Sequence, residues 1–183
     1  MSNESPHITF QYASQSNTST DEIETLALMV NAVYTESEKG LFKPGPLHRT
    51  SKESLTKLIH NQELMILRLN TEIKGCAQVT PVDNNRSKVG MITIHPDLKG
   101  KGFGKIMLSA IEDEARQQSK QALMLDLLAP ITWVQDHKKF LATWYERVGF
   151  KAISKAPFEN KDMLATDCEF IVYEKMLQSF THF

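Results

Sequence analysis

The chain has 183 residues, which is enough for one domain with a substantial core. Hydrophobic residues make up 41% and charged residues 23%, as in ordinary globular proteins, and the formal net charge of −1 argues against nucleic-acid binding and against binding to anionic membranes. Cys76 and Cys168 are too few for a disulfide framework, and six scattered histidines favour no metal site. No apolar run reaches the length of a membrane span, so we expect a cytoplasmic protein with one domain over residues 1–183.

The sequence patterns in the N-terminal third of the chain predict one strand and two helices. Residues 7–13 have a strand pattern, and Ser19 and Glu22 have the spacing of a capping box ahead of an apolar helical stripe. Residues 41–49 contain two prolines and a glycine and are predicted to be a loop. Thr50 and Glu53 repeat the capping-box spacing and predict a second, short helix.

The rest of the chain predicts a sheet with two further helices. Residues 64–69, 73–82 and 89–94 read as an antiparallel meander. The apolar run 122–128 predicts a buried strand parallel to 89–94, because a helix separates the two. Residues 150–154 and 169–176 predict the last two strands. Asp136 is the predicted cap of a helix whose core face contains Phe140, Leu141, Trp144, Tyr145 and Val148.

The most informative stretch is residues 91–115, where a strand leads through a glycine-rich loop into an amphipathic helix. Gly100, Gly102 and Gly104 stand at alternate positions, with lysines between and beside them. Such a loop predicts an anion site, because glycines allow close approach and the N–H groups of the first helical turn face a phosphate. The spacing fits neither the Walker loop nor the dinucleotide fingerprint.

Residues 92–105 (ITIHPDLKGKGFGK) resemble the acetyl-CoA loop of the GCN5-related N-acetyltransferase (GNAT) superfamily, and residues 144–150 (WYERVGF) resemble its second signature. The resemblance implies an α+β fold with a central, mostly antiparallel sheet that splays between the fourth and fifth strands. About four helices would flank that sheet. Residues 1–183 would then form one N-acetyltransferase domain.

The resemblance also implies roles for individual residues. The co-substrate would be acetyl-CoA, with its pantetheine arm on the fourth strand and its pyrophosphate on the loop. The implied contacts are Ile92, Thr93, Ile94, Lys99, Gly100, Lys101, Gly102, Phe103, Gly104, Lys105 and Lys138. Lys138 replaces an asparagine that many relatives carry, and a lysine there is able to bind phosphate. Tyr145 would be the general acid that protonates the departing thiolate.

The general base is left open by the sequence, because the relatives' glutamate before the loop is absent from residues 88–91. Asp126 lies inside an apolar strand and is one candidate, because burying a carboxylate is costly and such residues are often found at functional sites. Other candidates are Glu36, Glu38, His95 and His137, or a chain of water molecules. For Glu36 and Glu38, a solvated helix end is the favoured alternative.

The implied acceptor cleft lies under residues 34–46, where Glu36, Glu38 and Phe42 suit a cationic or partly apolar amine. The sequence thus predicts an acetyl-CoA-dependent N-acetyltransferase that acts on a small-molecule amine by direct attack in a ternary complex. The alternative is a non-catalytic coenzyme A-binding module, and a different phosphate-binding protein is a third, weaker interpretation. Many relatives dimerise, and the sequence does not decide whether this chain forms a homodimer.

Overall fold

The computed structural model describes residues 7–45 and 48–177. One seven-stranded sheet is flanked by four α-helices. The strands are β1 (Ile8–Tyr12), β2 (Leu64–Leu69), β3 (Glu72–Pro81), β4 (Arg86–Ile94), β5 (Ala122–Pro130), β6 (Lys151–Pro157) and β7 (Cys168–Met176). The helices are α1 (Thr20–Ser37), α2 (Lys52–His60), α3 (Phe103–Gln117) and α4 (Asp136–Arg147).

The strand order is β1-β2-β3-β4-β5-β7-β6, and every neighbouring pair is antiparallel except β4 and β5. That parallel pair follows from the helical connection α3, because a crossover returns the chain in the same direction. The predicted α+β class and the parallel pairing are therefore confirmed.

Alternation along the strands divides the core between the two faces of the sheet. In β2, Leu64 and Ile66 pack with α1 and α2, whereas Met65 and Leu67 pack in the larger cluster under α3 and α4. The helices of the first third of the chain therefore cover one face, and the two later helices cover the other.

The sheet opens between its two parallel strands. β4 and β5 pair only from Arg86–Ala122 to Lys88–Met124, although both strands continue for another six residues. Beyond that point β4 carries a register shift against β3, with Met91 at a φ of +48°. The predicted splay between the fourth and fifth strands is thus present, and it leaves strand backbone facing an open gap that we call the fork.

Two of the predicted helix caps are wrong. Ser19 and Glu22 form the reciprocal capping box expected at the start of α1. In α2 the cap is Ser51 instead of Thr50, because the backbone of Thr50 is hydrogen-bonded to the side-chain amide of Asn31. In α4 the cap is Gln135 instead of Asp136, and its side-chain oxygen accepts from the Lys138 N–H at 2.8 Å.

Phe140 was expected in the core and is 59% exposed. The side of α4 that meets the sheet buries Tyr145, whereas Phe140 lies on the outer side and stacks on His137. In the described part of the chain, none of the helices has the length and apolarity needed to cross a bilayer.

Candidate functional site

The glycine-rich loop has the backbone geometry of an anion site. Gly100 and Gly102 have φ angles of +75° and +85°, which L side chains rarely adopt, and Gly102 is the N-cap of α3. A β carbon at either glycine would meet nothing within 4 Å, so the space above the loop is open. At the start of α3 the N–H groups of Lys105 and Ile106 both donate to the Gly102 carbonyl, at 3.0 and 3.2 Å. The N–H groups before them, of Phe103 and Gly104, precede the first hydrogen bond of the helix and are the donors that a helix N-terminus offers to an anion. Lys99, Lys101 and Lys105 lie in or directly beside the loop in the sequence, and all three are exposed.

The end of α1 crosses the fork on one face of the sheet. Val30 of α1 packs in the cluster that contains Met91 of β4, whereas Leu41, just beyond the helix, packs with Leu128 of β5 and Cys168 of β7. α4 lies against β5 on the opposite face. Side chains from α1 and α4 therefore meet where the strands have separated.

Tyr145, the predicted general acid, lies on the α4 side of this region. It is 8% exposed and packs between Phe150 and Tyr173, with ring centroids 6.1 and 5.8 Å away. Burial raises the pKa of Tyr145 above its ordinary value, and the nearby Tyr34 raises it further. The phenol is therefore protonated throughout the neutral pH range, as a proton donor must be.

Glu38 and Lys138, which are a hundred residues apart in the chain, form a buried ion pair. Lys138 Nζ donates to Glu38 Oε1 at 3.3 Å, and the side chains are 6% and 4% exposed. Burial lowers the pKa of Lys138, and the charge of Glu38 opposes that effect. Lys138, predicted to contact phosphate, is therefore ion-paired with Glu38, predicted to contact the acceptor. The alternative favoured for Glu38, a solvated position at the helix end, is wrong because the side chain is buried.

Two residues of this cluster were not singled out from the sequence. Tyr34 fitted the apolar stripe of α1, and Arg49 stood in a loop without a motif. In the structure the Arg49 guanidinium carbon lies 4.8 Å from the centroid of the Tyr34 ring. Burial raises the pKa of Tyr34 to about 12, and the charge of Arg49 counters part of the shift. Tyr34 and Glu38 are four residues apart, so helical spacing could have indicated that they share one face of the chain.

Asp126 lies at the base of the fork. It lies two residues after Met124, the last residue of β5 that pairs with β4, and its Oδ2 forms an ion pair with Lys88 of β4. Asp126 Oδ1 is buried and accepts no hydrogen bond from the described residues. The strand alternation places Asp126 on the face of α1, opposite to Leu125 and Leu127.

The two other predicted acceptor residues differ in their positions. Glu36 is exposed, two residues before Glu38, on a different side of α1. Phe42 is half-buried and meets Phe158 edge to face at 5.9 Å. The structure therefore brings Tyr145, Glu38 and Lys138 into one region, with Asp126 at the base of the same fork, and leaves Glu36 in solvent.

The arrangement fits acetyl-CoA, the co-substrate that the sequence resemblance implies. A pyrophosphate requires N–H donors and cations, which the Gly100–Lys105 backbone and the three flanking lysines supply. An extended pantetheine arm with its amide groups requires a free strand edge, and the β4 backbone from Ile92 to Ile94 provides one at the fork. The described residues contain no group of three or more His, Cys, Asp or Glu placed to hold a metal ion.

The chain is similar to known proteins in sequence and in fold. A UPF0039 protein of Schizosaccharomyces pombe is 26% identical over 98 residues, which are 53% of this chain and 59% of that protein, so the match spans about three-fifths of this relative. The crystal structure of an aminoglycoside 6'-N-acetyltransferase complexed with coenzyme A has a TM-score of 0.71 at 13% identity, covering 95% of this chain and 99% of that one. The ribosomal-protein-S18-alanine N-acetyltransferase from Escherichia coli has a TM-score of 0.62 at 14% identity, covering 97% and 99%. The sequence model of the acetyltransferase (GNAT) family matches residues 30–150, and the chain belongs to that family.

Proposed function

We propose that this chain transfers an acetyl group from acetyl-CoA, the co-substrate of its family, to the primary amine of a small molecule. The observation that carries the proposal is the fork itself. It joins the anion loop at one end to a cluster of buried ionisable side chains at the other. A bound thioester would therefore lie beside groups able to accept and donate protons.

The mechanism we propose is direct attack of the amine on the thioester in a ternary complex. Acetyl-CoA supplies the activated acetyl group. Tyr145 donates its phenolic proton to the departing sulfur, and its raised pKa keeps that proton available. Asp126 and Glu38 are our candidates for taking a proton from the amine, because each has one buried oxygen without a hydrogen-bond donor in the described part of the chain.

An acyl-cysteine route is disfavoured. Cys76 is fully buried, and burial raises its thiol pKa to about 12. Burial also raises the pKa of Cys168, whose Sγ donates to the Thr166 carbonyl at 3.4 Å. Since a thiolate is the nucleophilic form of cysteine, neither residue is prepared for covalent catalysis.

A clamp between two loops supports a small acceptor over an extended polypeptide. Phe42 and Leu164 form an isolated β-bridge, the Lys43 N–H donates to the Met163 carbonyl at 2.9 Å, and the Ala165 N–H donates to the Leu41 carbonyl at 2.9 Å. The loop after α1 is therefore tied to the loop between β6 and β7, over the same face as Asp126. An acceptor would approach with its amine first, which a small molecule can do without displacing this clamp.

The first experiment is a thermal shift followed by a transfer assay. Acetyl-CoA and coenzyme A should raise the melting temperature by mass action, whereas ATP and NAD should not. Release of coenzyme A thiol is then measured with an aminoglycoside, a polyamine, an aryl-alkylamine, amino acids and a peptide with an N-terminal alanine. Turnover with a small amine supports the proposal. Turnover with the peptide alone overturns the small-molecule acceptor, and binding without any turnover overturns catalysis in favour of a coenzyme A-binding module.

A further inference from the structure

The Glu38–Lys138 pair leaves one carboxylate oxygen unused. Glu38 Oε1 accepts from Lys138, whereas Glu38 Oε2 is buried and has no hydrogen-bond partner among residues 7–45 and 48–177. A buried carboxylate oxygen without a donor is costly, because it has lost its water and gained nothing in return. Such an oxygen in a binding region is explained by a ligand that brings its own N–H group.

We propose that Glu38 Oε2 receives the acceptor amine and takes its proton, and that Lys138 is a positioning residue that holds the carboxylate in place. This inference rests on the proposed function and adds to it the identity of the base. As the amine nitrogen bonds to the acetyl carbon, its N–H proton passes to Glu38 Oε2. The carbon–sulfur bond breaks with its electron pair on sulfur, which takes the Tyr145 proton. Exchange with solvent then returns one proton from Glu38 to Tyr145, so the sum is amide and free thiol.

The charges around Glu38 suit this role. Lys138 lies at 3.3 Å, and the charge of Arg49 is close enough to lower the pKa of Lys138. The cations Lys138 and Arg49 act on this cluster, with Tyr34 and Cys168 as uncharged neighbours. The further carboxylate that acts on Cys168 is Asp167, which is exposed, so the charges that surround Glu38 are positive on balance. A positive surrounding destabilises an incoming ammonium ion relative to the neutral amine, and only the neutral amine can attack.

Glu38 is a better candidate for the general base than Asp126, because its side chain is more deeply buried and its ion-pair partner is also buried. The Asp126 side chain is 20% exposed and belongs to a pair whose lysine, Lys88, is 44% exposed, so water can reach both groups. The Glu38 side chain is 4% exposed, and its position is fixed by a partner on a different helix. A fixed, dehydrated carboxylate is the better proton acceptor of the two, because it needs little reorganisation.

The test compares two nucleophiles on matched variants. Ethylamine has a strongly basic nitrogen, so the N–H of its adduct with the thioester is weakly acidic and loss of that proton depends on a base. Hydroxylamine has a much less basic nitrogen, so its adduct loses the proton more readily and depends on a base less. Glu38→Gln should lower kcat/KM for ethylamine by about 100-fold or more and affect hydroxylamine much less. Glu24→Gln, an exposed position on the same helix, should match the wild type with both. The shift in melting temperature produced by acetyl-CoA should be the same in all of these proteins.

Variants of Lys138 separate positioning from folding. Lys138→Arg keeps the charge and should retain most of the ethylamine rate, whereas Lys138→Met should lower kcat without changing the KM for acetyl-CoA. If Lys138→Met fails to fold, the double variant Glu38→Gln/Lys138→Met removes both charges. It should fold and be no less active than Glu38→Gln alone, since the two residues act as a unit.

Four results would overturn the inference. One is a Glu38→Gln variant with the wild-type ethylamine rate, and another is an equal loss with both nucleophiles alongside weaker acetyl-CoA binding. The third is an ethylamine-specific loss in Asp126→Asn while Glu38→Gln remains active. In these three cases acetyl transfer by the wild type stands. Wild-type protein that binds acetyl-CoA and acetylates neither these probes nor any amine of the panel above would overturn the proposed function together with this inference.

Discussion

At the scale of single residues, the candidate site depends on side chains whose chemistry is altered by burial. Tyr145 illustrates this. Its position on the apolar face of α4 is typical of a core aromatic residue, and its ring does pack against Phe150 and Tyr173. Burial nevertheless raises the Tyr145 pKa, and the nearby Tyr34 raises it further. A tyrosine in such a place has the raised pKa of a group that donates protons.

Tyr145→Phe should reduce kcat by roughly 10²- to 10⁴-fold, since it removes the proton donor and little volume. Binding of acetyl-CoA, followed by thermal shift, should persist. Because the Tyr145 pKa is raised, the wild-type rate should not fall through loss of this proton until the pH exceeds the ordinary tyrosine value of 10.0.

Tyr12→Phe is the matched control, since Tyr12 lies on β1, across the sheet from β5. A Tyr145→Phe variant with a wild-type kcat and pH profile would show that Tyr145 has only a packing role.

At the scale of secondary-structure elements, α1 links the core to the candidate site. Its apolar residues cover one face of the sheet, and its C-terminal end carries Tyr34 and Glu38. Its first turn is fixed by the Ser19–Glu22 capping box, and Glu22 also forms an ion pair with Arg68 of β2. Its last turn carries Tyr34, and Glu38 is its C-cap. The orientation of the helix at one end therefore determines where the proposed proton acceptor lies at the other.

Glu22→Gln should destabilise the protein by about 1–2 kcal/mol at pH 7, in the lower range for a charged hydrogen bond because the Glu22 side chain is 34% exposed. The hydrogen bond from Arg68 lowers the Glu22 pKa. The stabilisation is therefore present above the pKa of the unfolded chain and is lost as the pH falls through the lower folded value.

Urea unfolding at pH 7 and at pH 3 measures this difference. The gap between wild type and Glu22→Gln should be full at pH 7 and much smaller at pH 3. A gap that is equal at both pH values would mean that the charge of Glu22 contributes nothing, and only its shape matters.

At the scale of the whole molecule, the fork divides the sheet into two parts joined by three residue pairs between β4 and β5. The α1 helix and its following loop connect the parts on one face, and α3 and α4 connect them on the other. A ligand that lies in the fork would complete the sheet between two strands that otherwise diverge.

Hydrogen exchange tests this view of the molecule. With acetyl-CoA, protection should increase at the backbone amides of Ile92–Ile94 and in the Gly100–Lys105 loop, because these groups become hydrogen-bonded or covered. Amides of β1 and β2, distant from the fork, should change less, and they serve as the internal control. Equal protection across the sheet would indicate general stabilisation instead of binding in the fork.

The sequence by itself determined the features that depend on local geometry. The backbone geometry of the glycine-rich loop followed from glycine spacing, because positive φ angles at a helix start are a property of a few consecutive residues. The parallel pair β4–β5 followed from the intervening helix, and the Ser19–Glu22 box followed from its spacing. The resemblance supplied the splayed sheet and the family, and both are confirmed.

Only the tertiary structure decided which side chains meet and which are dehydrated. Apart from its spacing of one helical turn from Tyr34, Glu38 looks like Glu36 in the sequence, yet Glu36 is exposed and Glu38 is buried against Lys138, a hundred residues away. Phe140 was placed in the core from helical spacing, but the face that a helix buries is set by its neighbours. Pairing and burial are long-range properties, since they depend on how the chain packs across the fork, and they turn an ordinary glutamate into the proposed proton acceptor.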